Sequence, residues 1–408
     1  MSHEKANAQA NTVRGPEFRL LLDCLRQDGT PPTDLVPPDL DWDLLLHLAE
    51  RHSVLPLVDR ALGQHPGVPG PIREALESLF RQSACRSLFL SAELMRLLDG
   101  FAERGIPLLP YKGPTLAQQL YGDVALRSFS DLDLLVASGD VQRATDALES
   151  LGYAADHPVT PRRRAAHRAL ASEQMFRRTT GSTLVELQWR IAPAYFSVDF
   201  NWDWLWSTAV RVPLGERQVP ALAPEALLLA LSVHGAKHCW ESLVWIADIA
   251  QLLRSRSGLD WDFLLKTARS LGIQRLLFLA LSLAGKISGV SPPDAVARMV
   301  AADPTLPWLC QQVEHHLAAD VRGVPSFADH WFSLRGRERW RDRLRYVTRL
   351  GLTPNPQDWA LLPLPSALSP LYFLVRPLRL LGRTARWAWR RASVPPASGS
   401  AENAADRS

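Results

Sequence analysis

Apolar residues recur every three and four positions through most of this chain, which is the signature of helices with one buried face. Residues 17–95 hold three such stretches, FRLLLDCLR, DWDLLLHLAERHSVLPLVDRALG and PIREALESLFRQSACRSLFLSAELMRLLDGFAERG, the last running on to Gly105. Asp41 is a predicted N-cap ahead of Trp42, and Pro31, Pro32, Pro37 and Pro38 mark the loop before it. The pattern then shortens. Ile106–Tyr111, Asp131–Ala137, Glu173–Arg178 and Thr183–Ile191 read as strands, while Pro114–Tyr121 and Val141–Leu151 read as helices between them. From Pro224 the helical period returns and continues to about Leu350, through PEALLLALSVHGAKHCWESLVWIADIAQLLRSR, WDFLLKTARSLG and RLLFLALSLAGKI.

The pattern predicts an α+β fold, a small mixed-sheet unit embedded between mainly α-helical N- and C-terminal regions. In residue ranges, 1–16 is a disordered N-terminus, 17–100 a helical region, 101–220 the α+β domain and 221–350 a second helical domain. Residues 351–392 form a Pro-rich segment with a basic amphipathic helix, and 393–408 a disordered tail.

Composition narrows the class. The 408 residues are 47% hydrophobic and 22% charged, which excludes a wholly disordered chain. No apolar run reaches the about 18 residues of a spanning helix, and Cys24, Cys85, Cys239 and Cys310 lack metal-ligand or disulfide-framework spacing. A cytoplasmic location with reduced thiols is expected. The net charge of +4 does not by itself suggest nucleic-acid binding. Only five of the 46 basic residues are lysines (Lys5, Lys112, Lys237, Lys266 and Lys286), so each lysine draws attention. Residues Trp359 to Ala401 contain no acid, and there Arg376, Arg379, Arg383, Arg386 and Arg390 follow helical spacing as a candidate contact for an anionic membrane surface or RNA. A solvated helix face is the alternative.

The candidate chemistry lies at Asp131-Leu132-Asp133-Leu134. On a strand, alternation projects Asp131 and Asp133 together from one face while the leucines enter the core. Adjacent carboxylates repel unless a cation joins them, and Mg2+, which prefers oxygen ligands and bridges to substrate phosphates, suits the pair. Glu186, mid-strand in Leu184-Val185-Glu186-Leu187-Gln188, is a candidate third carboxylate of a metal clamp. Gly113, at a strand-to-helix junction with Thr115 in the first helical turn, gives phosphate an approach to a helix N-terminus; Lys112 and Arg127 carry positive charge for it. His234, Lys237 and His238, at i, i+3 and i+4, form a second candidate phosphate or acceptor contact. The two histidines lack the HExxH spacing of a zinc enzyme and serve equally as core histidines. Trp202, Trp204 and Trp206 alternate as a strand or loop packed on the core would, or line an acceptor pocket.

The segments KGPTLAQQLYGD, RSFSDLDLLV and VELQWR together resemble the uncharacterised bacterial nucleotidyltransferase family of the DNA polymerase β-like superfamily, over about residues 40–380. The resemblance implies Mg2+-dependent transfer of a nucleoside monophosphate from an NTP, with ATP the first candidate, to a hydroxyl of an unknown acceptor. It implies Asp131 and Asp133 as metal ligands and Glu186 as third carboxylate, ligand or base. Two positions depart from the pattern: Gly113-Pro114 stands in place of Gly-Ser, and Gln188 in place of the His of a His-Trp pair. The first departure keeps open a catalytically degenerate, nucleotide- or partner-binding protein. A Mg2+-dependent phosphoesterase using the same carboxylates is a third reading.

Overall fold

The computed structural model of the chain describes residues 15–26, 36, 37, 39–158, 160, 164–256, 258–318, 327–353, 371–379 and 382. It begins with helices α1 (Pro16–Cys24), α2 (Trp42–Arg51) and α3 (Leu55–Leu62), then α4 (Gly70–Glu103). The predicted cap holds: Asp41 accepts the Leu44 N–H and starts α2. The single helix expected over 41–63 is two, because Ser53 adopts a left-handed conformation (φ 58°) and Pro56 sits in the first turn of α3.

The sheet unit follows as β1 (Leu109–Pro110), α5 (Gly113–Tyr121), β2 (Asp131–Leu135), α6 (Val141–Ser150), β3 (Tyr153–Ala155), α7 (Arg164–Leu170), β4 (Glu173–Arg178) and β5 (Leu184–Gln188). The strands stand in the order β1-β2-β5-β4-β3, with β2 and β5 parallel and every other pair antiparallel. Leu132, Leu134, Val185, Leu187 and Phe176 leave one face and join Leu90, Leu94, Leu97 and Phe101 of α4 in a closed apolar cluster. Alternation therefore sends Asp131, Asp133, Glu186 and Gln188 to the other face.

Helix α8 (Trp202–Ser207) corrects the strand or loop reading of the tryptophan series. Asn201 caps it by accepting the Trp204 N–H, and Trp202 stacks on Trp206 one turn on, so the alternation mimics a strand without forming one. The hairpin β6 (Val210–Leu214) and β7 (Arg217–Ala221) leads into α9 (Pro224–Lys237) and α10 (Leu243–Ser255). These two helices also correct a single predicted one. They belong to a second apolar cluster with α12 (Gln274–Ser288), α14 (Leu306–Ala318) and the N-terminal helices, and this cluster takes in Tyr111, Leu116, Leu120 and Leu135 from the sheet unit. Helices α11 (Trp261–Leu271), α13 (Asp294–Ala301), α15 (Phe327–Arg335) and α16 (Trp340–Leu352) also belong to the helical part of the chain.

No helix among the described residues is long and apolar enough to cross a membrane. The basic stripe needs correction at its start: Arg376 is buried and its Nε donates to the Leu350 carbonyl, so it packs inward rather than facing a surface partner. Arg383, Arg386 and Arg390 lie outside the described residues.

Candidate active site

Where the carboxylate face of the sheet meets the second apolar cluster lies a cavity of about 270 Å³, lined among others by Lys112, Gly113, Arg127, Asp131, Asp133, Glu173, Glu186, His234, Lys237, His238 and Trp245. The parallel register sets Asp133 directly beside Glu186. Gln188 bridges the two, its Nε2 lying 2.9 Å from Asp133 Oδ1 and 2.9 Å from Glu186 Oε2. Tyr111 fixes that carboxamide by donating its hydroxyl to Gln188 Oε1 at 2.7 Å. The amide is thereby oriented with its donors toward the carboxylates.

Lys112 closes the same corner, its Nζ donating to Asp133 Oδ1 at 2.7 Å. Burial opposes its charge, but Asp133, Tyr111 and Glu186 together raise its pKa above the ordinary lysine value. The carboxyls are raised as well, but for them the shift favours the neutral form. Burial, reinforced by Asp133, raises Asp131 to about 6, and burial with Asp133 and Glu173 raises Glu186 to about 8. Among the described residues neither Asp131 nor Glu186 has an ion-pair partner.

Arg127 lines the cavity but its guanidinium is held elsewhere. Its Nε and Nη2 lie 2.9–3.0 Å from the carboxylate of Asp248 on α10, which also accepts the Tyr121 hydroxyl at 3.1 Å. Both ends of this pair are buried, the Asp248 side chain completely. Lys237 lies 3.8 Å from Glu173 of β4. With Arg127 balanced by Asp248, four carboxyl groups (Asp131, Asp133, Glu173 and Glu186) face two ammonium groups (Lys112 and Lys237). A divalent cation would displace the protons that the raised Asp131 and Glu186 hold, and an all-oxygen donor set with more carboxyl than ammonium groups fits Mg2+.

Gly113 opens α5 at the cavity wall with φ 58°, a conformation that favours glycine, and an added Cβ would sit 3.4 Å from the Asp131 carbonyl. Thr115, expected beside phosphate, is instead fully buried. Its hydroxyl has no hydrogen-bond partner among the described residues and it is not part of the lining, because the helical turn directs it into the core. That expectation is corrected.

The opposite wall is the end of α9. His234 and His238 lie 4.9 Å apart between ring centroids, with Trp245 5.1 and 5.4 Å from them. Burial is the main cause that lowers both histidines, helped by Lys237 and Lys112; His238 falls to about 3 and His234 well below its ordinary value. Both imidazoles are therefore neutral near pH 7. The chain leaves α9 through Cys239 and Trp240, two consecutive non-glycine residues with φ 51° and 55°. The turn closes because Trp240 folds its indole onto Gly235, where a Cβ would come within 2.6 Å of the ring.

Sequence reasoning passed over Glu173, Tyr111 and Ser53. Glu173 enters because the β4–β5 register pairs it with Gln188, and Ser53 because the break between α2 and α3 lies at the cavity. Only the strand signal at Glu173 was available locally; the positions of the other two depend on tertiary packing.

Two solved structures are similar to the chain over part of its length. The crystal structure of ANT(2")-Ia in complex with adenylyl-2"-tobramycin is 14% identical, covering 45% of this chain and 98% of that one with a TM-score of 0.33. That of an antigenic nucleotidyltransferase-like protein from Paracoccidioides brasiliensis is 16% identical, covering 52% and 96% with a TM-score of 0.29. No curated protein matches the chain. Residues 38–289, more than half of the sequence and the whole of the cavity lining, match the family described as uncharacterised nucleotidyltransferase. The chain belongs to that family.

Proposed function

We propose that this protein transfers a nucleoside monophosphate from an NTP, with ATP the first donor to test, to a hydroxyl of an acceptor, in a Mg2+-dependent reaction of the cytoplasm. The observation that carries the reading is the convergence of Asp131, Asp133 and Glu186 on one cavity in which four carboxyl groups face two ammonium groups. Asp131, Asp133 and Glu186 would hold the ion. When bound, Mg2+ neutralises phosphate charge and templates donor and acceptor for in-line displacement. Gln188 and Tyr111 hold Asp133 and Glu186 in register, and Lys112 limits their mutual repulsion. Lys237, with neutral His234 and His238 as hydrogen-bonding groups, faces the carboxylates from across the cavity and suits the phosphates or the acceptor.

The test is calorimetric titration with each NTP as its non-hydrolysable α,β-analogue, with and without Mg2+, on wild type and on Asp131→Ala/Asp133→Ala. The expected result is Mg2+-dependent binding that the double variant abolishes while retaining the wild-type circular dichroism. Equal binding by wild type and double variant would overturn the assignment.

A second reading, a nucleotide- or partner-binding protein without turnover, is favoured by one group of observations: Pro114 removes an N–H from the start of α5, Thr115 faces the core, and Arg127 is held by Asp248. Metal-dependent nucleotide binding without pyrophosphate release across an acceptor screen would select it.

A further inference from the structure

We propose a second metal site, distinct from the carboxylate cavity, in which Cys239, His316 and Asp329 bind one Zn2+. The three residues come from the turn after α9, from α14 and from α15, and their donor atoms all lie within 4.8 Å of one another. Two edges of the triangle meet at one oxygen: Asp329 Oδ1 is 3.7 Å from Cys239 Sγ and 3.4 Å from His316 Nε2. Tetrahedral zinc, with Zn–S of about 2.3 Å and Zn–N or Zn–O of about 2.0–2.1 Å, requires an S···O edge of about 3.5 Å and an N···O edge of about 3.3 Å. The two edges at Asp329 are near those values, and the Cys239–His316 edge lies within 4.8 Å.

Donor chemistry selects the metal. A thiolate and an imidazole suit Zn2+ and disfavour Mg2+, which prefers oxygen ligands, so this site and the carboxylate cavity sort two ions rather than compete for one. On binding, the Cys239 S–H bond breaks and a Zn–S bond forms, the thiol proton passing to solvent. His316 contributes the Nε2 lone pair of its neutral ring and Asp329 its carboxylate, so one proton is released per ion. The fourth position is left to water.

The backbone supports this assignment. The left-handed conformations at Cys239 and Trp240 turn the Cys239 side chain out of the α9 helical path toward Asp329. Cys239 is buried, whereas His316 and Asp329 each keep 22% of their side-chain surface exposed, leaving the ion a route in. Because Cys239 directly follows His238, a bound ion would tether that wall of the cavity to α14 and α15.

The full-length protein, reduced and freed of metal with chelator, should be titrated with Co2+ as spectroscopic probe. One equivalent should produce a thiolate-to-cobalt charge-transfer band in the near ultraviolet with the visible absorption of a tetrahedral ion, and Zn2+ should displace both. Cys239→Ser should abolish the charge-transfer band, while Cys310→Ser should retain it. His316→Ala, at a partly exposed position, should weaken Zn2+ binding by more than the roughly 10–100-fold that follows loss of an outer-shell partner. The wild type and Cys310→Ser should gain thermal stability from Zn2+, and Cys239→Ser should not. A wild-type protein without the charge-transfer band, a band that persists in Cys239→Ser, or Zn2+ affinity unchanged in His316→Ala would each overturn the proposal. The readouts are separate from NTP binding, so its failure and that of the proposed transferase reaction are distinguishable.

Discussion

The Arg127–Asp248 pair is the feature of the site whose energetics can be worked most directly. The guanidinium and carboxylate meet bidentately, 6% and 0% exposed, and join the loop before β2 to α10. Asp248→Ala would leave a buried guanidinium without its counter-charge, a change that costs about 3–5 kcal/mol. It also removes the acceptor of the Tyr121 hydroxyl, for roughly 1 kcal/mol more. Against a total stability of about 5–15 kcal/mol this is a large loss. The double variant Arg127→Met/Asp248→Leu removes both charges at similar volume and should recover most of it, since apolar replacement of a buried pair is often neutral or stabilising. Guanidinium denaturation followed by tryptophan fluorescence measures all three proteins. A loss below about 1 kcal/mol in Asp248→Ala, or a double variant no better than the single, would refute the reasoning. Nucleotide titration of the double variant then separates two roles for Arg127. A folded double variant that binds NTP normally has lost only a clamp, whereas one that has lost NTP binding identifies Arg127 as a phosphate contact as well.

The remaining predictions concern the carboxylates and the turn beside them. Raised pKa values at Asp131 (about 6) and Glu186 (about 8), against about 4 in the unfolded chain, mean that the native state binds more protons in between; metal-free stability should therefore fall as pH rises from about 4 to 8. Mg2+ should offset that loss, so the melting-temperature gain on adding Mg2+ should grow from pH 6 to 8 in differential scanning fluorimetry, and a pH-independent gain would contradict the assignment. Gln188→Leu should weaken Mg2+-dependent nucleotide binding about 10–100-fold in calorimetry by releasing Asp133 and Glu186, and Tyr111→Phe should do so less; unchanged affinity in both would remove the clamp. Gly235→Ala places a Cβ within 2.6 Å of the Trp240 indole and should cost about 1–3 kcal/mol by chemical denaturation, with wild-type stability counting against the packing account.

Much of the fold was legible because its elements carry strong local periods. Val185–Gln188 alternates apolar and polar residues, the continuous apolar run of α9 is long enough for a buried helix, and α11 repeats at three and four. The failures have local causes too. Strands β6 and β7 contain Pro213 and Pro220, which suppress a strand signal, and they join through Gly215 at φ 59°. Trp202, Trp204 and Trp206 satisfy a period of two only because the helix they occupy is six residues long. The break between α9 and α10 rests on left-handed Cys239 and Trp240, residue types that give no such signal in a sequence.

In the site, residue type was legible and partnership was not. Alternation alone brings Asp131 and Asp133 to one face, because a strand's side-chain period is fixed by its backbone. No local rule specifies what a cation in a cavity is already bound to. Lys112 meets a carboxylate 21 residues away and Arg127 one 121 residues away, although in sequence both present charge for phosphate. The two cases differ in a way that orders the chemistry. Arg127 has a dedicated, fully buried partner outside the carboxylate group, so moving it to a phosphate would leave Asp248 uncompensated. Lys112 is paired to Asp133, itself a candidate metal ligand, so any cation that relieves Asp133 leaves the ammonium with less to neutralise. Of the two cations, Lys112 is thus the one whose transfer to phosphate costs least. Lys112→Met should accordingly reduce NTP affinity more than Arg127→Met/Asp248→Leu does, and the reverse order in the same titration would show that burial of the Arg127–Asp248 pair does not confine it to structure.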